Sequence, residues 1–167
     1  MGKINLLPPR LSSRIAAGEV IDRPQAILRE FLDNAIDAKA DSIEVSIEGG
    51  GIDKIKVKDN GGGISREDLE LIASPHATSK IHKEDDLYSI ETLGFRGEAL
   101  YSIAAVSTLK ISTCDRESGV KSTLTIDNGV REEILSFGPE EGTEISSENL
   151  FYDIPARRSF LKRSSTE

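Results

Sequence analysis

The feature that most constrains the fold is a change in the spacing of apolar residues along residues 24–58. Over residues 24–38 the apolar side chains recur every three or four positions, which is the period of an amphipathic helix, and Asp22 is its candidate N-cap. Over residues 42–58 apolar and polar residues alternate, and three consecutive glycines interrupt the alternation at 49–51. This pattern predicts one helix followed by a β-hairpin.

The rest of the chain continues this mixture of helix and strand patterns. A Ser-x-x-Asp sequence that begins at Ser65 predicts a capped helix, and residues 97–105 predict another. Residues 74–95 show little periodicity, and loops of this length are usually functional or mobile. Four strands and a final basic amphipathic segment are predicted at residues 106–113, 120–126, 130–137, 143–146 and 155–163. No linker or repeat divides the chain, so we expect one domain over residues 1–167.

Composition excludes several classes of protein. A chain of 167 residues is long enough to bury a substantial core. Its 29 acidic and 21 basic residues give a net charge of −8, which argues against a nucleic-acid-binding protein held by bulk electrostatics but leaves a local basic patch open. One cysteine and two histidines exclude a disulfide scaffold and a Cys/His zinc site. No apolar run approaches the ~20 residues that span a bilayer, so we expect a soluble protein of a reducing compartment.

The predicted helix over residues 24–38 carries a polar face that has two interpretations. Glu30, Asn34 and Asp37 fall within roughly 60° of one another around the helix axis, opposite the apolar side chains. Most such faces are simply solvated. Two carboxylates and an amide are also the oxygen ligands that Mg²⁺ prefers, together with a carboxylate that could activate water. The helix alone leaves both interpretations open.

Two glycine-containing segments are candidate ligand-binding loops. A predicted strand ends in Asp59 and runs through glycines 61–63 towards a helix, which places a carboxylate beside backbone that a ligand can approach closely. Residues 94–97 precede another helix, where unpaired N–H groups and the helix dipole favour an anion such as phosphate. The alternatives are an ordinary turn and a flexible joint. The motifs of P-loop, Rossmann and protein-kinase nucleotide sites are absent.

Seven motifs, taken in order, resemble the GHKL ATPase superfamily of DNA gyrase B subunits, ninety-kilodalton heat-shock chaperones, histidine-kinase catalytic domains and MutL proteins. HATSK and GFRGEAL together are specific to the MutL family of DNA mismatch-repair proteins, and the chain is identified as a member of it. The motifs are IAAGEV (15–20), EFLDNAIDA (30–38), DNGGGI (59–64), HATSK (76–80), LGFRGEAL (93–100), GTEISSENLF (142–151) and PARRSFL (155–161).

The resemblance implies a role for each residue of the candidate site. Glu30 would be the general base that activates the attacking water, and Asn34 the protein ligand to Mg²⁺. Asp59 would accept a hydrogen bond from the adenine amine, Gly63 would allow close approach to the base, and Thr143 would bond near adenine.

The resemblance also implies further residues around the nucleotide. Asp37 would bind nucleotide from a supporting position or have a structural role, and Gly61 would be a further nucleotide-binding residue. An ATP lid would span about 74–97 and meet the phosphates through Thr78, Ser79, Lys80, Gly94, Phe95, Arg96 and Gly97. One departure is Lys39, where the family often has glycine.

The resemblance also implies a fold and a function. The fold is an α/β two-layer sandwich with helices on one face of a mixed, largely antiparallel sheet. The function is Mg²⁺-dependent ATP binding and slow hydrolysis, weak or absent in this chain alone, acting as a conformational switch in DNA mismatch repair. The family continues into a second α/β domain and a C-terminal dimerisation domain, which these 167 residues lack.

Partners and location follow from the same resemblance. They are a second MutL-type subunit on ATP binding, a MutS-type mismatch-recognition protein and weakly bound, non-specific DNA, with no membrane. The location would be intracellular, cytoplasmic in a prokaryote and nuclear in a eukaryote. The alternatives are a fragment that binds nucleotide or DNA without turnover, and another superfamily ATPase such as a topoisomerase or chaperone.

Overall fold

The computed structural model describes residues 5–72, 99–127, 130–137 and 140–161. Its helices are α1 Pro9–Val20, α2 Pro24–Asp37, α3 Arg66–Leu71, α4 Ala99–Val106 and α5 Pro155–Phe160. Its strands are β1 Ile43–Glu48, β2 Lys54–Asp59, β3 Thr108–Cys114, β4 Val120–Asp127, β5 Val130–Phe137 and β6 Gly142–Glu148, and a short 3-10 turn at Gly49–Gly51 joins β1 to β2. No helix in this part of the chain is both long and apolar enough to cross a membrane.

The six strands form one open sheet in the order β1-β2-β6-β3-β4-β5. Strand β6, the last in sequence, lies in the middle of the sheet between β2 and β3. Its Thr143 is therefore opposite Asp59 on one side and opposite Thr113 on the other. Every pair formed by these described strands is antiparallel, so the prediction of a largely antiparallel sheet is confirmed and its parallel component is not found among them.

The core lies between one face of the sheet and the helices. Alternate residues of the central strands, such as Val57 and Ile111, are fully buried there, and from α2 they meet Ile27 and Phe31, each at most 1% exposed. Burying a side chain of this size stabilises the fold by roughly 1.5–3 kcal/mol. The opposite face of the sheet carries exposed charged residues such as Lys58. This is the predicted two-layer sandwich.

The helix boundaries confirm one predicted cap and correct another. Ser65 is the N-cap of α3, and its hydroxyl oxygen accepts the backbone N–H of Asp68 at 3.1 Å. The expectation that Asp22 caps α2 is wrong, because the helix begins at Pro24 with Arg23 as its N-cap and without a side-chain cap. Proline at the first helical position is pre-set for the helix and has no N–H to satisfy.

Helix α1 has no counterpart among the predicted elements. It begins at Pro9, directly after Pro8, and two adjacent prolines suggest a chain that avoids regular structure. Proline is nevertheless well suited to the first turn of a helix. Ala17 of α1 and Ile21 just after it are buried in the core, so packing rather than a start signal accounts for this helix.

Candidate functional site

The C-terminal end of α2 contacts residues 60–63, the glycine turn that follows β2. The Ala38 carbonyl accepts the backbone N–H of Gly62 at 3.1 Å. A Cβ added to Gly61 would lie only 2.7 Å from the same carbonyl oxygen, so a glycine is needed for this approach. Because Asn34 and Asp37 belong to the last turn of α2, this contact brings the predicted polar helix face to the end of β2.

Asp59 is the central acceptor of this region. Its side chain is buried at the end of β2, and its Oδ1 accepts the backbone N–H of Gly61 at 2.8 Å. Burial raises the pKa of Asp59 above its usual value of 3.8, and this outweighs the lowering by backbone N–H groups of Gly61 and Thr143. The result is a carboxyl group of fixed orientation in a poorly hydrated position, suited to accept a hydrogen bond from a ligand.

A pair of threonine hydroxyls lies on β6, which is next to β2, and on β3, which is the next strand beyond β6. The Oγ1 atoms of Thr113 and Thr143 are 2.8 Å apart, and Thr113 Oγ1 also accepts the backbone N–H of Ile64 at 2.9 Å. Thr113 is 1% exposed and Thr143 is 9% exposed. Thr113 is not among the residues predicted for the site. It could have been predicted from the alternation of β3, because Leu109, Ile111 and Thr113 lie on the same buried face and Thr113 is the polar residue among them.

Two glycines allow the backbones of the site to approach one another. Gly63 has a φ of 76°, and an added Cβ would lie 2.0 Å from the Cys114 carbonyl oxygen. Gly142 has a φ of 91°, and an added Cβ would lie 1.9 Å from the carbonyl oxygen of Asp59. The close approach at Gly63 in this structure is therefore to strand β3. Its expected approach to a nucleotide base stays a prediction.

The predicted residues of α2 have the burial expected of a helix with two faces. Glu30, Asn34 and Asp37 are half-buried, whereas Phe31 and Ala35 between them are 1% exposed. All three polar side chains therefore share one face at the border between core and solvent. Their assignment to water activation, to Mg²⁺ and to a supporting role stays a prediction.

Several other predicted residues lie outside the described part of the chain. This is true of the expected lid over residues 74–97 and of its phosphate-binding residues, namely Thr78, Ser79, Lys80, Gly94, Phe95, Arg96 and Gly97. In the basic segment, Arg158 lies 3.6 Å from the carboxylate of Asp53, and Arg157 lies 6.0 Å from the ring centre of Phe151. These contacts are those of a folded surface.

A shallow cavity of about 170 Å³ lies nearby, at the ends of β2, β3, β4 and β6. Its lining includes Lys58, Ser112 and Glu144, which the strand alternation assigns to the face opposite the helices. Lys121 donates a hydrogen bond to Glu140 at its rim, and this bond lowers the pKa of Glu140. Asp59, Thr113 and Thr143 of the candidate site also line this cavity, so the two adjoin at the ends of the strands. Its charged residues belong to the face of the sheet away from α2, so we do not assign the polar residues of α2 to it.

Comparison with known proteins identifies relatives of this arrangement. Residues 19–129 match the family model described as histidine kinase-, DNA gyrase B-, and HSP90-like ATPase. The whole chain is 50% identical over 167 residues to the DNA mismatch repair protein MutL of Macrococcus caseolyticus and 48% identical over 170 residues to that of Elusimicrobium minutum. It covers 26% and 27% of these two proteins, about a quarter of their length.

Solved structures show the same fold. The ATPase domain of Aquifex aeolicus MutL complexed with ADP aligns with 88% of this chain and 50% of its own at a TM-score of 0.68 and 31% identity. A structure described as the N-terminal domain of a DNA repair protein aligns at a TM-score of 0.71 and 32% identity, over 88% of this chain and 41% of its own. The predicted fold class is confirmed.

Proposed function

The chain belongs to the family of histidine kinase-, DNA gyrase B- and HSP90-like ATPases, and from this membership we propose that it binds ATP together with Mg²⁺ and hydrolyses it slowly. The observation that carries the proposal is the buried, oriented carboxyl group of Asp59 beside the glycine turn that contacts α2. A related MutL ATPase domain was solved in complex with ADP, which supports a nucleotide as the ligand.

The end of β2 would hold the adenine. The exocyclic amine of adenine donates hydrogen bonds, and Asp59 offers a carboxylate that Gly61 already orients. Thr143 offers a hydroxyl on the neighbouring strand. Gly61 and Gly63 leave the backbone of the turn free of side chains. A base that carries a carbonyl oxygen where adenine carries its amine would face this carboxylate unfavourably, so we expect a preference for adenine over guanine.

The polar face of α2 would hold the phosphate end of the nucleotide. Asn34 supplies an amide oxygen one helical turn before Ala38, and Asp37 supplies a carboxylate directly before Ala38, whose carbonyl binds Gly62. Oxygen donors of this kind suit Mg²⁺, and Asn34 is the residue that would ligate it. Mg²⁺, when bound, offsets the negative charge of the phosphates.

Glu30 would act as the general base. It lies one helical turn before Asn34 on the same face of α2, so its carboxylate can accept a proton from a water molecule near the terminal phosphate. The water oxygen forms a new bond to phosphorus while the bond from phosphorus to the ADP oxygen breaks. Glu30 is half-buried, so its carboxylate remains accessible to water.

The phosphates would also contact residues of the expected lid over 74–97. Ordering of the lid on nucleotide binding would then make ATP a conformational switch. The proposed lid contacts are Thr78, Ser79, Lys80, Gly94, Phe95, Arg96 and Gly97.

The larger process is DNA mismatch repair, supported by relatives of that name at 45–50% identity. The proposed partners are a second MutL-type subunit, a MutS-type protein and weakly bound DNA, and the proposed location is intracellular. Because the chain spans about a quarter of those relatives, these roles concern a longer protein that contains it.

Calorimetric titration of the 167-residue chain with ADP and ATP, with MgCl₂ and with EDTA, tests the proposal. We expect binding that weakens in EDTA, and binding that is lost in Asp59→Ala. The matched control is Asp127→Ala, which removes a carboxylate at the exposed end of β4 and should leave binding unchanged. The absence of binding by the unaltered chain would overturn the proposal.

Hydrolysis is tested separately by phosphate release. In a full-length protein that contains this chain, Glu30→Gln should keep nucleotide affinity and lose turnover, because the amide retains the shape of the carboxylate but cannot accept the proton. Retained turnover would remove Glu30 as the base. Binding without release by the unaltered protein would instead favour a nucleotide-binding module.

A further inference from the structure

One residue binds three consecutive carbonyl groups of the glycine turn. Nη2 of Arg116 lies 3.2 Å from the carbonyl oxygen of Asn60 and 3.5 Å from that of Gly61. The backbone N–H of Arg116 donates to the carbonyl of Gly62 at 3.1 Å. Arg116 belongs to the turn between β3 and β4, and its guanidinium also lies 3.6 Å from the carboxylate of Glu141. Arg116 therefore connects the β3–β4 turn and the segment before β6 to the glycine turn that directly follows Asp59.

We propose that Arg116 is a positioning residue for the nucleotide base, acting through the peptide groups of the turn at residues 60–62. This inference rests on the proposed function, because it assigns to Arg116 the orientation of Asp59 towards adenine. Arg116 itself need not touch the nucleotide. No motif of the sequence singles it out.

The planarity of the peptide bond connects the contacts of Arg116 to the orientation of the Asp59 side chain. The carbonyl of Asn60 and the N–H of Gly61 belong to one rigid peptide plane and point in opposite directions. Arg116 binds the carbonyl side of this plane, and Asp59 Oδ1 accepts the N–H side. The next plane is held in the same way, with Arg116 at the carbonyl of Gly61 and the Ala38 carbonyl at the N–H of Gly62.

A turn that contains glycines requires such an external restraint. Glycine occupies both halves of φ space with similar ease, so the peptide planes of residues 60–62 have little intrinsic preference to keep Gly61 N–H on Asp59. Without that N–H, the buried carboxyl group loses a hydrogen bond that orients it. Arg116 provides charged donors, which bind carbonyl oxygens more strongly than neutral donors do.

The first test is the affinity of Arg116→Ala for two probes, ADP and inorganic pyrophosphate, measured by calorimetry on the 167-residue chain. ADP contains the base, whereas pyrophosphate binds through phosphate contacts alone. We expect about tenfold weaker ADP binding, equivalent to about 1.4 kcal/mol, and pyrophosphate binding within twofold of the unaltered chain. Equal weakening for both probes, or unchanged ADP binding in a folded variant, would overturn the proposal.

Arg131→Ala is the matched control for a general loss of stability. The guanidinium of Arg131 binds the carbonyl oxygens of Ile72, Glu70 and Leu69 at 2.9, 3.1 and 3.3 Å, so it too holds three carbonyls, but at the end of α3. Its removal should leave the ratio of ADP affinity to pyrophosphate affinity unchanged. If Arg131→Ala lowers this ratio as much as Arg116→Ala does, Arg116 has only a general stabilising role and the proposal is wrong.

A second measurement does not depend on nucleotide binding. In the free chain, amide hydrogen exchange at Gly61 should become about tenfold faster in Arg116→Ala, since its N–H is released from Asp59 more often. Unchanged exchange at Gly61 contradicts the proposal even if ADP does not bind at all. A third outcome is that the unaltered chain does not bind ADP but Arg116→Ala still shows the faster exchange at Gly61. That result would overturn the proposed function and the role of Arg116 in positioning the base. It would still show that Arg116 restrains the turn.

Arg116→Lys covers the case in which the alanine variant does not fold. Lysine keeps the charge and the backbone N–H, but its single ammonium group cannot reproduce the geometry of the guanidinium. The ADP-to-pyrophosphate affinity ratio should fall about threefold, and an unchanged ratio would contradict the proposal.

Discussion

The left-handed conformation of Lys39 leads to a quantitative prediction for stability. Lys39 has a φ of 60° and directly follows Ala38, the C-cap of α2. Its N–H donates to the Ile36 carbonyl at 2.9 Å, and the Ala40 N–H donates to the Ala35 carbonyl at 3.2 Å. These two bonds define a Schellman motif, in which glycine is strongly preferred at the left-handed position. The prediction is that Lys39→Gly stabilises the chain.

The magnitude follows from two opposing terms. The left-handed conformation of a residue with a Cβ raises the free energy of the folded state by about 1–2 kcal/mol, and glycine removes this strain. Glycine also gives the unfolded chain more freedom, which costs about 0.4–1 kcal/mol. The Lys39 side chain is exposed, so little packing is lost. The net gain is about 0.5–1 kcal/mol, which corresponds to a rise in Tm of about 1–4 °C for a domain of this size.

Urea and thermal unfolding followed by circular dichroism measure this gain. Lys39→Ala is the necessary comparison, because it removes the same side chain but keeps the Cβ, and we expect its stability to stay within about 0.3 kcal/mol of the parent. Arg29→Gly, in the exposed interior of α2, should destabilise by about 1 kcal/mol. An equal gain from Lys39→Ala and Lys39→Gly would refute the reasoning, because the charge rather than the backbone would then be responsible.

Three further predictions concern the site itself. Asp59→Asn should stabilise the chain at neutral pH, because the amide removes the burial cost of the charge. The difference should shrink as the pH falls through the raised pKa of Asp59 and disappear well below 3.8, where the carboxyl group is protonated in both the folded and the unfolded chain. Thr113→Val should cost about 1–2 kcal/mol, measured by urea unfolding, because the Ile64 N–H loses its acceptor. Gly142→Ala should cost roughly 2–5 kcal/mol by the same assay, since its Cβ would lie 1.9 Å from the Asp59 carbonyl oxygen.

The threonine and glycine variants each have a comparison variant that isolates the cause. Thr113→Ser keeps the hydroxyl and should cost only about 0.8 kcal/mol for the lost methyl group. Gly119 has a φ of 70° with nothing within 4 Å of an added Cβ, so Gly119→Ala should cost only about 1 kcal/mol of backbone strain. Equal losses at Gly119 and Gly142 would contradict the steric argument. A stability difference for Asp59→Asn that grows below pH 3.8 would contradict the assigned pKa shift.

The elements that the sequence predicts well are those determined by local interactions. Helix α2 and the β1–β2 hairpin follow from the spacing of apolar residues, and the start of α3 follows from the Ser65 cap, which needs only residues within one turn. Asp59 and the glycines after it can be predicted as a site because their chemistry is contiguous in sequence. The start of α2 at Pro24 is also predicted, but its N-cap is not, because Asp22 is a residue type that favours this position and Arg23 occupies it.

The features that the sequence does not predict depend on contacts between distant segments. The position of β6 between β2 and β3 is not visible in any local pattern, yet it brings Thr143 next to Asp59 and Thr113. Arg116 meets the carbonyls of residues 60–62 across more than fifty positions of sequence. Such contacts become assignable only when strand order and register are known.

The central position of β6 has a consequence for how the domain is made. Strands β1 and β2 can pair as a local hairpin, and β3, β4 and β5 can pair as a meander. Among the strands that the structure describes, only β6 joins these two groups. A ribosome must therefore release the chain through Glu148 before the sheet can close, and this pairing across distant positions slows folding. Because β2, β3 and β6 each provide one of Asp59, Thr113 and Thr143, a half-folded chain would lack part of the proposed pocket for the base. Nucleotide would thus stabilise only molecules in which this last joining step has occurred.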